Sequence, residues 1–293
     1  MNWRGYFFIF LAASLWGLLG PLSRLAFSEG ITPMEVAFWR AMLAWILFAT
    51  HAAITRQVCI GRSDVIPILI FSITGISLFY GSYQLSVDKG GAALAAVLLY
   101  TAPAWVALLS GILFRESMTI FKFMALVMTL AGVTGVSLGA TAPGENAELS
   151  LSWPAIAFGL AAGFCYALYY IFGKYFSGKY SAPNLFLYMM PIGAAGLVPW
   201  TDFTPKSVTA WIALGLIAVF STYGAYLAYY VGLNYLEATR ASIAATLEPV
   251  VAALLAYFWW NEFFSAIGYA GSALILGGVV LMIWESSRAK EPA

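Results

Sequence analysis

The sequence predicts an all-α integral membrane protein of ten transmembrane helices, arranged as two inverted five-helix repeats around a central cavity. Three observations predict it: the scarcity of charge, the spacing of the apolar runs, and an internal repeat at one fixed offset. The 293 residues are 62% hydrophobic and 9% charged, where a soluble domain carries roughly a quarter charged residues. So few ionisable side chains cannot cover a soluble protein of this size, and the natural solvent for the surface is lipid. The formal net charge of +1 gives no sign of a nucleic-acid or polyanionic partner. Cys59 and Cys165 offer no disulfide framework or metal spacing, and the single histidine is His51. No metal and no cofactor is expected.

A membrane helix needs roughly 20 apolar residues to cross about 30 Å of hydrocarbon. Runs of that size fall at 6–27, 33–55, 65–87, 90–114 and 119–140, then at 153–176, 182–200, 208–233, 238–260 and 264–285. The first run is too long for the apolar core of a signal peptide and reads as a retained helix. Short connectors at 28–32, 57–64, 115–118 and 178–181 hold the turn and charge residues. With a cytoplasmic N-terminus, ten basic residues lie inside: Arg4, Arg56, Arg62, Arg115, Lys122, Lys174, Lys179, Arg240, Arg288 and Lys290. Only Arg24, Arg40, Lys89 and Lys206 lie on or near the outer side, so both termini are expected to be cytoplasmic. The outer connector, 141–152, carries Glu145 and Glu148 and no basic residue.

Sliding the sequence by 146 residues superposes its two halves. Pro103 then meets Pro249, Glu116 meets Glu262, and Tyr80 and Tyr83 meet Tyr226 and Tyr229. Ala107-Leu108-Leu109 meets Ala253-Leu254-Leu255, and Gly132 meets Gly278. The expected units are 1–140 and 153–293, joined by 141–152. Each half holds an odd number of spans, so the halves enter the membrane in opposite senses. Inverted repeats of this kind are the usual construction of secondary transporters, with the substrate near the midplane between the halves.

These residues also carry a family resemblance. The stretch from Tyr230 to Pro249, ending Thr-Leu-Glu-Pro and followed by Glu262 and Gly278, resembles the second EamA-type repeat of the drug/metabolite transporter superfamily. Trp16-Gly17, Arg40, Pro103 and Glu116 are similar to the first. Within that superfamily the chain looks most like the YddG-type amino-acid exporters. The resemblance implies a ten-helix inner-membrane carrier that exports aromatic and other neutral amino acids by alternating access.

Glu248 lies about halfway through the ninth span, where an acidic side chain costs roughly 2.5–3.5 kcal/mol on insertion scales. Either it faces a water-filled cavity and binds a substrate ammonium or a proton, or it satisfies backbone groups beside Pro249. Its partner in the other half is Ala102, so the repeat itself does not demand the charge. Pro103 and Pro249, each expected to remove a mid-helix hydrogen bond, are hinge or gate candidates, and Pro21 is a third. Trp3, Trp153, Trp200, Trp211 and Trp284 read as interfacial anchors. Nearer mid-span, Trp16, Tyr100, Trp105, Tyr166 and Tyr170 need partners for their polar atoms. Tyr80, Tyr83 and Gln84 share a helical face, as do Tyr226, Tyr229 and Tyr230. Together with Glu248 these form the expected cavity lining: Trp16, Tyr80, Tyr83, Gln84, Tyr100, Trp105, Tyr166, Tyr170 and Tyr226. Their bland reading is ordinary helix packing.

Arg40, one to two turns into the second span, could snorkel outward, pair with a carboxylate or, facing the cavity, hold a substrate carboxylate; the resemblance implies a structural position. Glu116 and Glu262 read as helix-end partners and gate-network members. Gly135 and Gly139 form one GxxxG, a face for a homodimer or for packing within one chain. Carriers of sugar phosphates need cationic clusters deep in the membrane, and only Arg40 is there. An exporter of cationic drugs or other small amphipathic metabolites, using Glu248 inside an aromatic cage, is the alternative reading. No HExxH or clustered His and Asp suggests an enzyme, and no Walker sequence suggests ATP as the drive.

Overall fold

The computed structural model describes residues 3–139, 152–260 and 265–288. Among them there is no strand, and nine helical segments are long and apolar enough to cross a membrane. Large apolar side chains such as Leu108, Ile112, Phe258 and Val280 stand more than half exposed around the outside. That is the surface lipid would cover. Trp3, Trp153 and Trp200 also project outward, as expected of interfacial residues.

The helices in chain order are α1 (Trp3–Gly17), α2 (Leu19–Ser28), α3 (Pro33–Ile54), α4 (Val65–Ser72), α5 (Phe79–Leu99), α6 (Ala102–Leu113) and α7 (Ile120–Gly139). There follow α8 (Trp153–Phe176), α9 (Ala182–Ala195), α10 (Val208–Leu216), α11 (Ala225–Leu233), α12 (Ala238–Ala245), α13 (Glu248–Trp260) and α14 (Ala266–Arg288). Their starts are written in the sequence. Thr32, Ser152, Ser181 and Ser207 each accept from a backbone N–H three residues on, and in the first three a proline stands at the first or second helical position. The hydroxyl satisfies an orphan donor, and proline has no N–H to orphan.

Span boundaries agree with the apolar runs to within a few residues, except in one place. The run 182–200 folds as the 14-residue α9 and a 3₁₀ turn, Val198–Trp200. At 1.5 Å per residue α9 covers about 21 Å, short of about 30 Å of hydrocarbon. Pro191 inside it, Gly196 after it and Pro199 beyond explain why the helix stops early.

Several spans are discontinuous. α1 and α2 meet at Leu18; α4 joins α5 through a π-helical segment, Ile73–Leu78; α10 joins α11 through another, Ile217–Gly224. α5 is interrupted at Gly91 (φ 83°, ψ 160°). The chain unwinds at Tyr100–Thr101 between α5 and α6 and at Thr246–Leu247 between α12 and α13. The prolines therefore act differently from the sequence expectation. Pro103 and Pro249 sit in the first turn of α6 and α13, so neither removes a mid-helix hydrogen bond. Pro21 is likewise near the start of α2.

α7 and α14 pack along their length on glycine. A Cβ on Gly271 would fall 2.5 Å from the Gly132 carbonyl oxygen, and one on Gly135 would fall 3.0 Å from Gly271 Cα. The GxxxG of α7 is thus spent inside the chain, against Gly268 and Gly271, which resolves the choice that its sequence left open. Gly271→Val is expected to cost at least about 1–3 kcal/mol through overpacking. Thermal unfolding of the purified protein in detergent measures this; an unchanged midpoint would contradict the close approach.

Candidate functional site

The helix breaks surround the middle of the bundle. The breaks at Tyr100–Thr101 and Thr246–Leu247 are each reinforced locally by a threonine, whose N–H and hydroxyl both bond the carbonyl three residues back. Thr101 Oγ1 donates to the Leu98 carbonyl and Thr246 Oγ1 to that of Ile243, both at 2.6 Å. Gly163 of α8 lets the first break lie against it, since a Cβ there would fall 2.6 Å from the Leu98 oxygen.

Two clefts open beside these irregular segments. The first, of about 170 Å³ of free space, is lined by Arg40, Tyr80, Tyr169 and Tyr226, with Ile76 and Thr222 contributed by the two π-helical segments. The second, of about 190 Å³, lies at the breaks and is lined by Tyr100, Pro103, Tyr166, Tyr170, Ser242 and Thr246. Neither has room for even a water molecule as it stands, so a substrate needs the surrounding helices to part. The tyrosines of α8 divide the clefts. Tyr166 and Tyr170, one turn apart, face the second, while Tyr169 faces the first and stacks on Tyr226 at 5.5 Å.

Glu248, the first residue of α13, is half-buried and accepts from the Tyr166 hydroxyl at 3.3 Å. Tyr170 in turn donates to Tyr166 at 3.5 Å. Arg40 does not snorkel. It is 5% exposed, its Nε donates to Thr222 Oγ1 at 3.3 Å, and its guanidinium lies 5.1 Å from the centre of the Tyr80 ring. The carboxylate behind it, Glu35, is engaged elsewhere, by Lys206 and by the Thr204 N–H and hydroxyl.

Of the sequence candidates, Tyr80, Tyr100, Tyr166, Tyr170 and Tyr226 line a cleft, and Glu248 touches the second through Tyr166. Trp16 packs behind the first, 5.7 Å from the Tyr226 ring, and Trp105 packs against Phe164 at 5.5 Å. Tyr83 and Gln84 are half-buried and line neither cleft. Tyr229 is fully buried and donates to the Tyr169 carbonyl at 3.0 Å, a core role. Sequence reasoning missed Thr222, Ser242 and Thr246 as lining residues. Thr222 stands 146 residues from Ile76, so the repeat offset was the available signal.

One end of the bundle is laced by charge. Glu116 accepts from the N–H groups of Ala238 (2.8 Å) and Thr239 (3.1 Å) and from the Thr239 hydroxyl (2.7 Å), capping α12 from another span. Glu237 binds Lys122 at 2.7 Å and Arg240 at 2.8 Å, and Arg240 reaches Glu285 at 2.8 Å. Burial raises the Glu237 carboxyl, but the hydrogen bonds and charges of Lys122 and Arg240 outweigh it and hold the group below the usual carboxylate range. Lys174 donates to the carbonyls of Leu233 and Leu236. Glu262 lies outside the described residues, as do Glu145, Glu148, Lys290 and residues 141–151 of the expected connector.

Broken helices meeting around paired, tyrosine-lined clefts inside an all-helical, lipid-compatible bundle define a polytopic membrane transporter. The chain belongs to the EamA-like transporter family, which matches residues 3–138 and 153–284. It is 29% identical to an uncharacterized transporter of Archaeoglobus fulgidus, over 90% of this chain and 92% of that one. It is 26% identical to the uncharacterized inner membrane transporter YicL of Salmonella typhimurium, over 99% and 98% of the two chains. A solved crystal structure shares the fold with a TM-score of 0.82 at 18% identity, covering 99% of this chain and all of that one.

Removing the Glu116 carboxylate strips three hydrogen bonds from the start of α12. Glu116→Ala is expected to lower stability by at least about 1.5–3 kcal/mol, the range for one hydrogen bond to a charged group. It should also raise thiol labelling of a cysteine placed at Ser242. Unaltered melting and labelling would remove Glu116 from the closure of this end.

Proposed function

We propose that the chain is an inner-membrane secondary transporter that exports amino acids, aromatic and other neutral ones in particular, by alternating access. It acts as two inverted five-helix repeats, 1–140 and 153–293, with both termini cytoplasmic, in the manner of the YddG-type exporters. The observation that carries the reading is the pairing of irregular backbone. The breaks at Tyr100–Thr101 and Thr246–Leu247 lie 146 residues apart, and the π-helical segments end at Leu78 and Gly224, also 146 apart. Tyr80 and Tyr226, at the same offset, face one cleft. Packing supports the two-repeat reading too: α7 lies on α14 and α3 on α9, pairs related by that offset. The family match likewise falls in two stretches on either side of the connector.

On this reading the charged lacing around Glu116 and Glu237 closes the cytoplasmic end, and Pro103 and Pro249 stiffen the half-helices that pivot at the breaks. Unwound backbone between them offers the substrate fixed dipoles in a dry site. Aromatic walls suit an apolar or modestly polar side chain. The alternative, an exporter of cationic drugs, draws on the tyrosine cage around Glu248. Arg40 within the same interior disfavours a cation that lacks a compensating negative end.

Purified protein in liposomes is expected to take up labelled phenylalanine and other neutral amino acids. Glu248→Gln should reduce uptake by at least about tenfold, the scale of losing one charged hydrogen bond. Absence of uptake for every amino acid would sink the substrate assignment. An imposed pH gradient tests coupling separately: acceleration supports proton exchange through Glu248, and indifference supports facilitated diffusion.

A further inference from the structure

Among the described residues, Arg40 lines the first cleft and Glu248 adjoins the second through Tyr166, and neither has a charged counterpart at the 146-residue offset. Two pairs of corresponding positions from the two halves line the first cleft. Tyr80 and Tyr226 face it, as do Ile76 and Thr222, each pair separated by 146 residues. The ring of Tyr226 packs against Phe186 at 4.7 Å, and the ring of Tyr80 against the Arg40 guanidinium at 5.1 Å. Residues 40 and 186 are themselves 146 apart. An apolar ring therefore meets the packing requirement in the second half, with no desolvated charge. Packing does not account for a guanidinium at Arg40, and burying one is expensive.

Nor does pairing account for it. Among the described residues no carboxylate forms an ion pair with Arg40, and the hydrogen bond recorded for its five-donor fork is the one to Thr222. A buried fork of this kind matches a bidentate carboxylate. A lone guanidinium is a poor match for a phosphate dianion. Glu248, whose counterpart position is Ala102, stands just beyond the α8 tyrosines: Tyr169 lines the cleft of Arg40, and Tyr166, one turn earlier on α8, donates to Glu248.

We propose that Arg40 binds the carboxylate of the transported molecule while Glu248 receives its ammonium group, so that the transport site selects zwitterions with uncharged side chains. The assignment rests on the amino-acid reading above and adds the group that recognises each end. It also separates amino acids from the cationic alternative, which needs Glu248 alone.

Binding to the purified full-length protein tests it with three probes: phenylalanine, its methyl ester, which lacks the carboxylate, and N-acetylphenylalanine, which lacks the ammonium. The native protein is expected to prefer phenylalanine over either single-ended probe by at least about tenfold, the size of one charged hydrogen bond. Arg40→Gln should abolish the preference for phenylalanine over the ester, with phenylalanine at least about tenfold weaker and the ester, relieved of the repulsion of the guanidinium, bound no more weakly than by the native protein. Glu248→Gln should lower phenylalanine to the level of the N-acetyl compound. If the native protein binds the ester as tightly as phenylalanine, or Arg40→Gln preserves the preference, the role of Arg40 falls while amino-acid transport stands. If no neutral amino acid binds, both readings fall together. Should Arg40→Gln fail to fold, the probe ratios of the native protein and of Arg40→Lys decide the matter. An Arg40→Lys protein that binds the ester as tightly as phenylalanine supports the role of the planar fork, and one with the native preference reduces Arg40 to a point charge.

Discussion

The constraint on which this structure depends is the backbone hydrogen bond in a solvent that cannot replace it. Lipid offers neither donors nor acceptors, so lipid-facing chain must be helix, and every departure from helix must be enclosed by protein. The breaks at Tyr100–Thr101 and Thr246–Leu247 obey this rule. Each is turned toward the interior, each has a threonine whose N–H and hydroxyl share one carbonyl, and the first is seated on Gly163. Because irregular backbone is tolerated only inside, it gathers in the middle of the bundle, and that is where polar chemistry becomes affordable. The clefts, Arg40 and Glu248 all follow from this placement.

The same economy explains how the helices approach one another. Between apolar spans in lipid there is little hydrophobic gain from association, so contact depends on packing and a few polar bonds. α7 and α14 meet on glycine, where backbones come close enough for dispersion to act over a long interface. The ends are held by charge instead. Glu116 caps a helix that belongs to a different span, and Lys122 and Arg240 share Glu237.

Much was legible in the residues alone. Composition and run length located nine of the spans, because transfer of apolar length into lipid is a nearly additive property of the chain. The shift by 146 residues matched the tyrosines that face one cleft and the prolines that start the half-helices. The run 182–200 was not resolved by hydropathy, since Pro191 and Pro199 end helices for steric reasons that hydropathy does not count. Trp16 and Trp105, expected in the lining from mid-span position, pack beside the rings of Tyr226 and Phe164. Depth in the membrane does not say which way a side chain points around the helix axis.

Arg40 and the GxxxG of α7 mark the boundary between the two kinds of information. Residue type and spacing determined that this is a multi-pass membrane protein and where nine of its spans run. Only the tertiary structure decided that Gly135 and Gly139 are consumed by α14, that Glu35 is claimed by Lys206, and that Arg40 is thereby left facing a cleft. The reason is physical. Hydropathy and helix geometry are local and accumulate along the chain. The partner of a buried charge or of a bare glycine is chosen by whichever distant element packs there, and sequence distance carries no trace of it.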